Sequence, residues 1–142
     1  MTTTAIKLDK RTFRHVEKEL YDYPETKKEI QRLRNEILYR TAPPDENIGG
    51  SRGNMPGNPT EQIATALMTN RRIEYLERVV NAIESVYERL PTEKKKLVEL
   101  KYWSTWEKSW GHIADAIGIS VPLAYIWRRE IVFAIAERLG WR

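Results

Sequence analysis

Read for the recurrence of apolar positions, the chain spells helix from end to end. Phe13, Val16 and Leu20 recur at spacings of three and four, the stripe of one buried helix face running from about Asp9 to Tyr21. Tyr23-Pro24 interrupts it. Asp22 is placed to cap a second helix, with Pro24 in its first turn and Glu25 three positions on, the arrangement of a capping box. That helix carries Ile30, Leu33 and Ile37 on one face as far as about Tyr39. The pattern therefore predicts an N-terminal helical hairpin over residues 1–40.

The periodicity vanishes between Thr41 and Pro59, where eight of the 19 residues are Pro or Gly and none is aromatic. A stretch of that composition reads as a flexible linker or as a functional loop. A long helix resumes after Asn58-Pro59 and spans 60–90. Along it Ile73, Leu76, Val80, Ile83, Tyr87 and Leu90 alternate at three and four, an a/d seam of about two and a half heptads. Packing against the N-terminal hairpin explains the seam, and so does a dimeric coiled coil; the two are compatible.

After Pro91 a short helix from Glu93 to about Tyr102 turns Leu97, Val98 and Leu100 inward. All five tryptophans lie from Trp103 onward, enough large rings to build the core of a small helical domain over 91–142. No strand pattern occurs. The fold class expected is all-α: a helical hairpin, a long central helix and a C-terminal helix–turn–helix.

That last unit is the most informative. Ser109 to Ser120 reads as a short helix with Ile113, Ala114 and Ile117 facing inward. Gly118 falls where a helix ends in a left-handed residue, Ile119 plugs the core, and Ser120 caps the next helix. Ala114 is small where the second helix crosses, and Ala124 and Trp127 fall on that helix's inward face. A helix, a Gly-containing turn and a capped helix make the helix–turn–helix layout, whose second helix enters the DNA major groove. Outward positions at its start are Ser120, Val121, Pro122, Tyr125, Ile126 and Arg129. Arg129 suits a bidentate contact to guanine, whereas Arg128 and Lys108 are placed for phosphates. Trp110 opens the first helix and is expected on the core rather than on the DNA backbone. Val121, Pro122, Leu123 and Ile126 suit thymine methyl groups or a protein surface better than hydrogen-bonded base reading.

Composition narrows the classes. The 142 residues suit one domain, or a compact domain with a helical extension, and contain no cysteine. Disulfides, cysteine-ligated zinc and thiol catalysis are thereby excluded. The longest uncharged run, Ala116 to Trp127, is too short and too interrupted to cross a membrane, and the N-terminus lacks a signal peptide's apolar stretch. A cytoplasmic protein is expected. Lys and Arg exceed Asp and Glu by 24 to 20, which fits a nucleic-acid partner. The excess is spread thin: 11 against 9 in residues 1–60, 8 against 7 in 61–101, and 5 against 4 in 102–142. DNA binding would then rest on shaped contacts rather than on a basic tail.

Catalysis finds little support. Gly49-Gly50-Ser51-Arg52-Gly53 matches G-x-S-x-G, but that motif works on a strand-to-helix turn with a His and an acid brought to it. Here it sits in the Pro/Gly-rich stretch with no strand before it. His15 and His112 are far apart and without clustered carboxylates, so neither a metal nor a cofactor is expected. An enzyme is the least favoured class.

Two resemblances add to this reading. The segment from Leu90-Pro91-Thr92-Glu93 through Leu97-Val98-Glu99-Leu100-Lys101-Tyr102-Trp103, with the helix–turn–helix after it, resembles region 4 of bacterial sigma factors. Nearly the whole chain is similar to the RinA-like (ArpU-related) family of phage transcriptional activators. The similarity is carried by Tyr23-Pro24-Glu25-Thr26-Lys27-Lys28-Glu29-Ile30, Pro43-Pro44-Asp45-Glu46-Asn47-Ile48-Gly49-Gly50, Leu76-Glu77-Arg78 and Glu130 to Leu139. It implies an activator that binds double-stranded DNA upstream of late phage genes in the bacterial host. The sigma-like part implies contact with RNA polymerase as well. Members of the family usually carry basic or polar residues where this chain has Val121, Pro122, Leu123 and Ile126.

The leading expectation is a sequence-specific transcriptional regulator whose N-terminal hairpin and long helix serve a homodimer or a polymerase contact. A phage small-terminase-like packaging subunit is the alternative, although such proteins usually place the DNA-binding unit first. A polymerase-binding adaptor with little DNA affinity of its own is the third.

Overall fold

The computed structural model describes residues 7–41 and 59–142. The Pro/Gly-rich stretch, its G-x-S-x-G match and the linker reading lie outside the described residues. Among the described residues five helices follow in chain order: α1 (Lys10–Thr41), α2 (Pro59–Glu88), α3 (Thr92–Tyr102), α4 (Trp110–Ile117) and α5 (Val121–Leu139). Among the described residues there is no strand, so the all-α expectation holds. Among the described residues no helix is long and apolar enough to cross a membrane.

The expected N-terminal hairpin is corrected. Residues 10–41 form one helix of 32 residues with Pro24 inside it, and the hairpin is made instead by α1 with α2. A proline in a helix interior removes the N–H that would bond to the carbonyl four residues back. Here the orphaned carbonyl belongs to Leu20, and the indole Nε1–H of Trp103 donates to it at 3.0 Å. Tyr23 stacks on the same indole, with ring centroids 4.7 Å apart. The helix therefore runs through Pro24 because a side chain from beyond α3 supplies the missing donor. Asp22 does not cap a new helix; it pairs with Lys18 one turn earlier on the same helix, at 2.6 Å.

The apolar stripes are where periodicity placed them. Val16 and Leu20 of α1 are buried with Val79, Ile83 and Val86 of α2. Leu97 and Val98 of α3, Ile113 of α4 and Val132 and Ile135 of α5 complete the same core. Farther along the hairpin a second, smaller cluster joins Ile30 and Leu33 of α1 to Ile73, Leu76 and Val80 of α2. The α2 seam is thus covered within the chain by α1. Its inward face is also wider than a/d, because Val79, Ala82 and Val86 are buried too.

Candidate nucleic-acid interface

The α4–α5 unit is assembled from local signals, each visible as a bond. Ser109 caps α4, its hydroxyl accepting from the His112 N–H at 3.2 Å. Gly118 ends α4 at φ +86°, a left-handed conformation in which a Cβ is strained. From there the Gly118 and Ile119 N–H groups both donate to the Ala114 carbonyl at 2.9 Å. Ser120 starts α5 by accepting from the Leu123 N–H at 3.3 Å, with Pro122 in the first turn, where its lack of an N–H costs nothing. Ile113, Ala114 and Ala124 are buried at the crossing of the two helices. The chain has no freedom to rotate α5 about its axis without exposing Ala124 or burying a cap.

That fixed rotation decides which side chains face out. Val121, Tyr125 and Ile126 remain 37%, 41% and 47% exposed, and Ser120, Pro122 and Arg129 are exposed beside them. Leu123 and Trp127 are half-buried. Lys108, ahead of α4, is half-buried as well, its backbone carbonyl accepting from Lys101 Nζ at 3.4 Å. Tyr125 leans on Trp110 with centroids 5.3 Å apart. Trp110 packs on the core edge as expected.

Arg128, expected at a phosphate, is engaged within the chain. Its guanidinium makes a two-pronged bond to Glu17 of α1, Nε to Oε2 at 2.8 Å and Nη2 to Oε1 at 2.6 Å. Tyr102 of α3 donates its hydroxyl to Glu17 Oε2 at 2.6 Å. The rings of Phe13 and Trp110 lie 5.0 and 5.5 Å from the guanidinium carbon. The hydrogen bond to Glu17 raises the Arg128 pKa, and burial, followed by the Glu17 charge, raises that of Tyr102. A planar guanidinium bonded in this fork and flanked by two rings is a fixed strut. It ties α1, α3, α4 and α5 together at one point.

On the same flank a shallow groove runs between the start of α1 and α5. Lys10, Phe13 and Arg14 line it from one side, Arg128, Arg129 and Phe133 from the other. Sequence reasoning missed the α1 side. The basic residues of 7–14 were visible, but nothing local placed them beside α5. Among the described residues no group of acidic and histidine side chains can hold a metal.

The fold and this edge define the class: a small all-α protein that carries two capped helices, joined by a glycine turn, against a long helical hairpin. The chain belongs to the family described as protein of unknown function (DUF722), whose model matches residues 11–137. It is 29% identical over 140 residues to the transcriptional activator rinA of Staphylococcus phage phi11, a match covering 99% of each chain. The RinA-like resemblance noted from the sequence is therefore met along the full length. No solved structure matches the chain.

Proposed function

We propose that the protein is a phage transcriptional activator that binds double-stranded DNA through α4 and α5. The observation that carries the reading is the outward face of α5. Its first turns are held by Ser120 and Ala124 with Val121, Pro122, Tyr125, Ile126 and Arg129 uncovered. The full-length similarity to a phage transcriptional activator supports it. In this reading α5 enters the major groove, Arg129 makes the guanine contact, and the apolar residues meet thymine methyl groups. Lys108 and the Ser120 end of α5 approach phosphates. Arg128 is a positioning residue that sets the angle of α5 and leaves the phosphate set. The protein acts where phage genes are transcribed, in the host cytoplasm, and a sigma-like contact to RNA polymerase fits the order of α3, α4 and α5.

Self-association belongs, in the same reading, to the far end of the α1–α2 hairpin, with a second copy as its occupant. Tyr39, Ile63, Leu67 and Met68 are exposed there. Neighbouring charges are largely paired within the chain, Arg34 with Glu77 and Glu36 with Arg32 and Arg40. A face without excess charge does not repel its own copy. A two-fold pair would read half-sites about 34 Å apart. A monomer would read an asymmetric element.

The test is Arg129→Ala. Binding to the protein's preferred duplex is expected to weaken by about 1–3 kcal/mol, with preference relaxed at one base position. Unchanged affinity and unchanged salt dependence would remove α5 from the major groove.

A further inference from the structure

We infer that the first two turns of α1 form a second DNA-backbone contact, continuous with the α4–α5 reader, so that the N-terminal helix and the helix–turn–helix grip one duplex as a unit. This rests on the DNA-binding reading above. Three observations carry it.

The first is placement. Phe13 of α1 and Trp110 of α4 touch the same guanidinium, that of Arg128. The starts of α1 and α4 therefore lie along one flank of α5. In a helix–turn–helix the first helix crosses the sugar–phosphate backbone, and helix N-termini are common phosphate contacts. A segment beside the start of α4 on that flank follows the same strand.

The second is charge. Lys10 and Arg14 share a groove with Arg129, and they stand one helical turn apart, about 6 Å along α1. Both are exposed, as are Lys7 and Arg11 next to them. Among the described residues none of these cations forms an ion pair with an acidic side chain, whereas Lys18 and Arg32 on the same helix do. Two acids lie close by, and both are engaged. Asp9 accepts from the Arg11 backbone N–H at 2.7 Å, and Glu17 is taken by Arg128 and Tyr102. Asp9 keeps its charge, yet residues 7–14 still carry four cations against that one acid, and such an excess flanking an uncovered recognition face fits a polyanion.

The third is rigidity. The Glu17–Arg128 fork fixes α1 against α5, and the Thr12 hydroxyl donates to the Arg142 carbonyl at the chain's other end. His15 stacks on Trp141 with centroids 4.3 Å apart. The basic turn is thus presented in a set position, which reduces the ordering cost of a contact.

The experiment is equilibrium binding of the full chain to a fluorescent random-sequence 30-base-pair duplex between about 50 and 200 mM salt. Each phosphate contact contributes about 0.9 to the slope of log K against log salt. Lys10→Ala/Arg14→Ala is expected to lower the slope by about 1.8, so the affinity ratio across that salt range shrinks about tenfold. Arg72→Ala/Arg78→Ala, which removes two exposed α2 cations away from the reader, is the charge-matched control and keeps the wild-type slope. A wild-type slope in the Lys10/Arg14 variant overturns the inference and leaves the DNA-binding reading standing. Equal losses in both variants also overturn it, since the effect is then one of bulk charge. Absence of salt-dependent duplex binding by the wild type brings down both.

Discussion

The two ends of the α1–α2 hairpin are built from the same kind of helix and finished differently. At the near end α1 and α2 are closed over by α3, α4 and α5. Leu20, Ile83, Leu97, Ile113 and Ile135 are buried almost completely, and polar struts such as Glu17–Arg128 lock the helices in register. At the far end, among the described residues, α1 and α2 pack on each other alone. Five residues make up the buried cluster there, while Tyr39, Ile63, Leu67 and Met68 stay exposed. The difference shows where the fold is decided. The near end fixes the position of α5 and the flank that α1 lends to it; the far end adds length and an open apolar surface.

The largest expected effect contrasts those ends. Leu97→Ala, in the centre of the near core, should lower stability by about 3 kcal/mol through lost burial and a cavity. Leu67→Ala, at the far end, should stay within about 0.5 kcal/mol of wild type. Urea unfolding of the full chain measures both. On the proposed self-association, the same Leu67→Ala chain should sediment with a smaller dimer fraction than wild type. A large stability loss from Leu67→Ala would mean that the far end is covered by the chain itself, which would erase the contrast.

A smaller effect sharpens the account of α1. Trp103→Phe leaves the Leu20 carbonyl without a donor and should cost about 1–2 kcal/mol beyond any packing loss. In a Pro24→Ala background the backbone N–H returns to that carbonyl, and the extra cost should disappear. A double-mutant cycle reads the coupling directly. Additive costs would mean that the indole bond does not compensate for the proline.

The smallest effect concerns pH. Glu19 is buried on α1, and burial raises its carboxyl above the ordinary value of 4.5. Just above that value the folded state binds more protons than the unfolded state, so this group makes stability fall as pH rises through its folded pKa. Glu19→Gln removes that slope and should raise Tm at pH 7, with no gain at pH 4. Equal gains at both pH values would assign the effect to packing.

What could be read in advance divides along the range of each interaction. The helix periods, the Ser109 and Ser120 caps and the left-handed Gly118 are local, and the residues within a few positions dictate them. Pro24 misled because its compensation comes from Trp103, 83 positions from the Leu20 carbonyl it serves. The partner of Arg128 is distant in the same way. On α5 alone it sits at the edge of the outward face, and only the docking of Glu17, 111 positions earlier, shows that it is occupied. Lys10 and Arg14 went unnoticed because their meaning depends on that same docking. Composition gave little help there, since residues 1–60 as a whole carry only 11 cations against 9 acids.

The central claim, that the uncovered face of α5 reads DNA, is tested most directly by selection. The purified full chain would be offered fragments of its source genome and a random duplex pool, and the retained DNA sequenced after washing at about 50 and about 200 mM salt. Non-specific phosphate binding falls steeply across that range. The account predicts one motif enriched at the higher salt, with a guanine whose enrichment is lost in Arg129→Ala. Retention that is equal for all sequences, or absent at both salts, would contradict it.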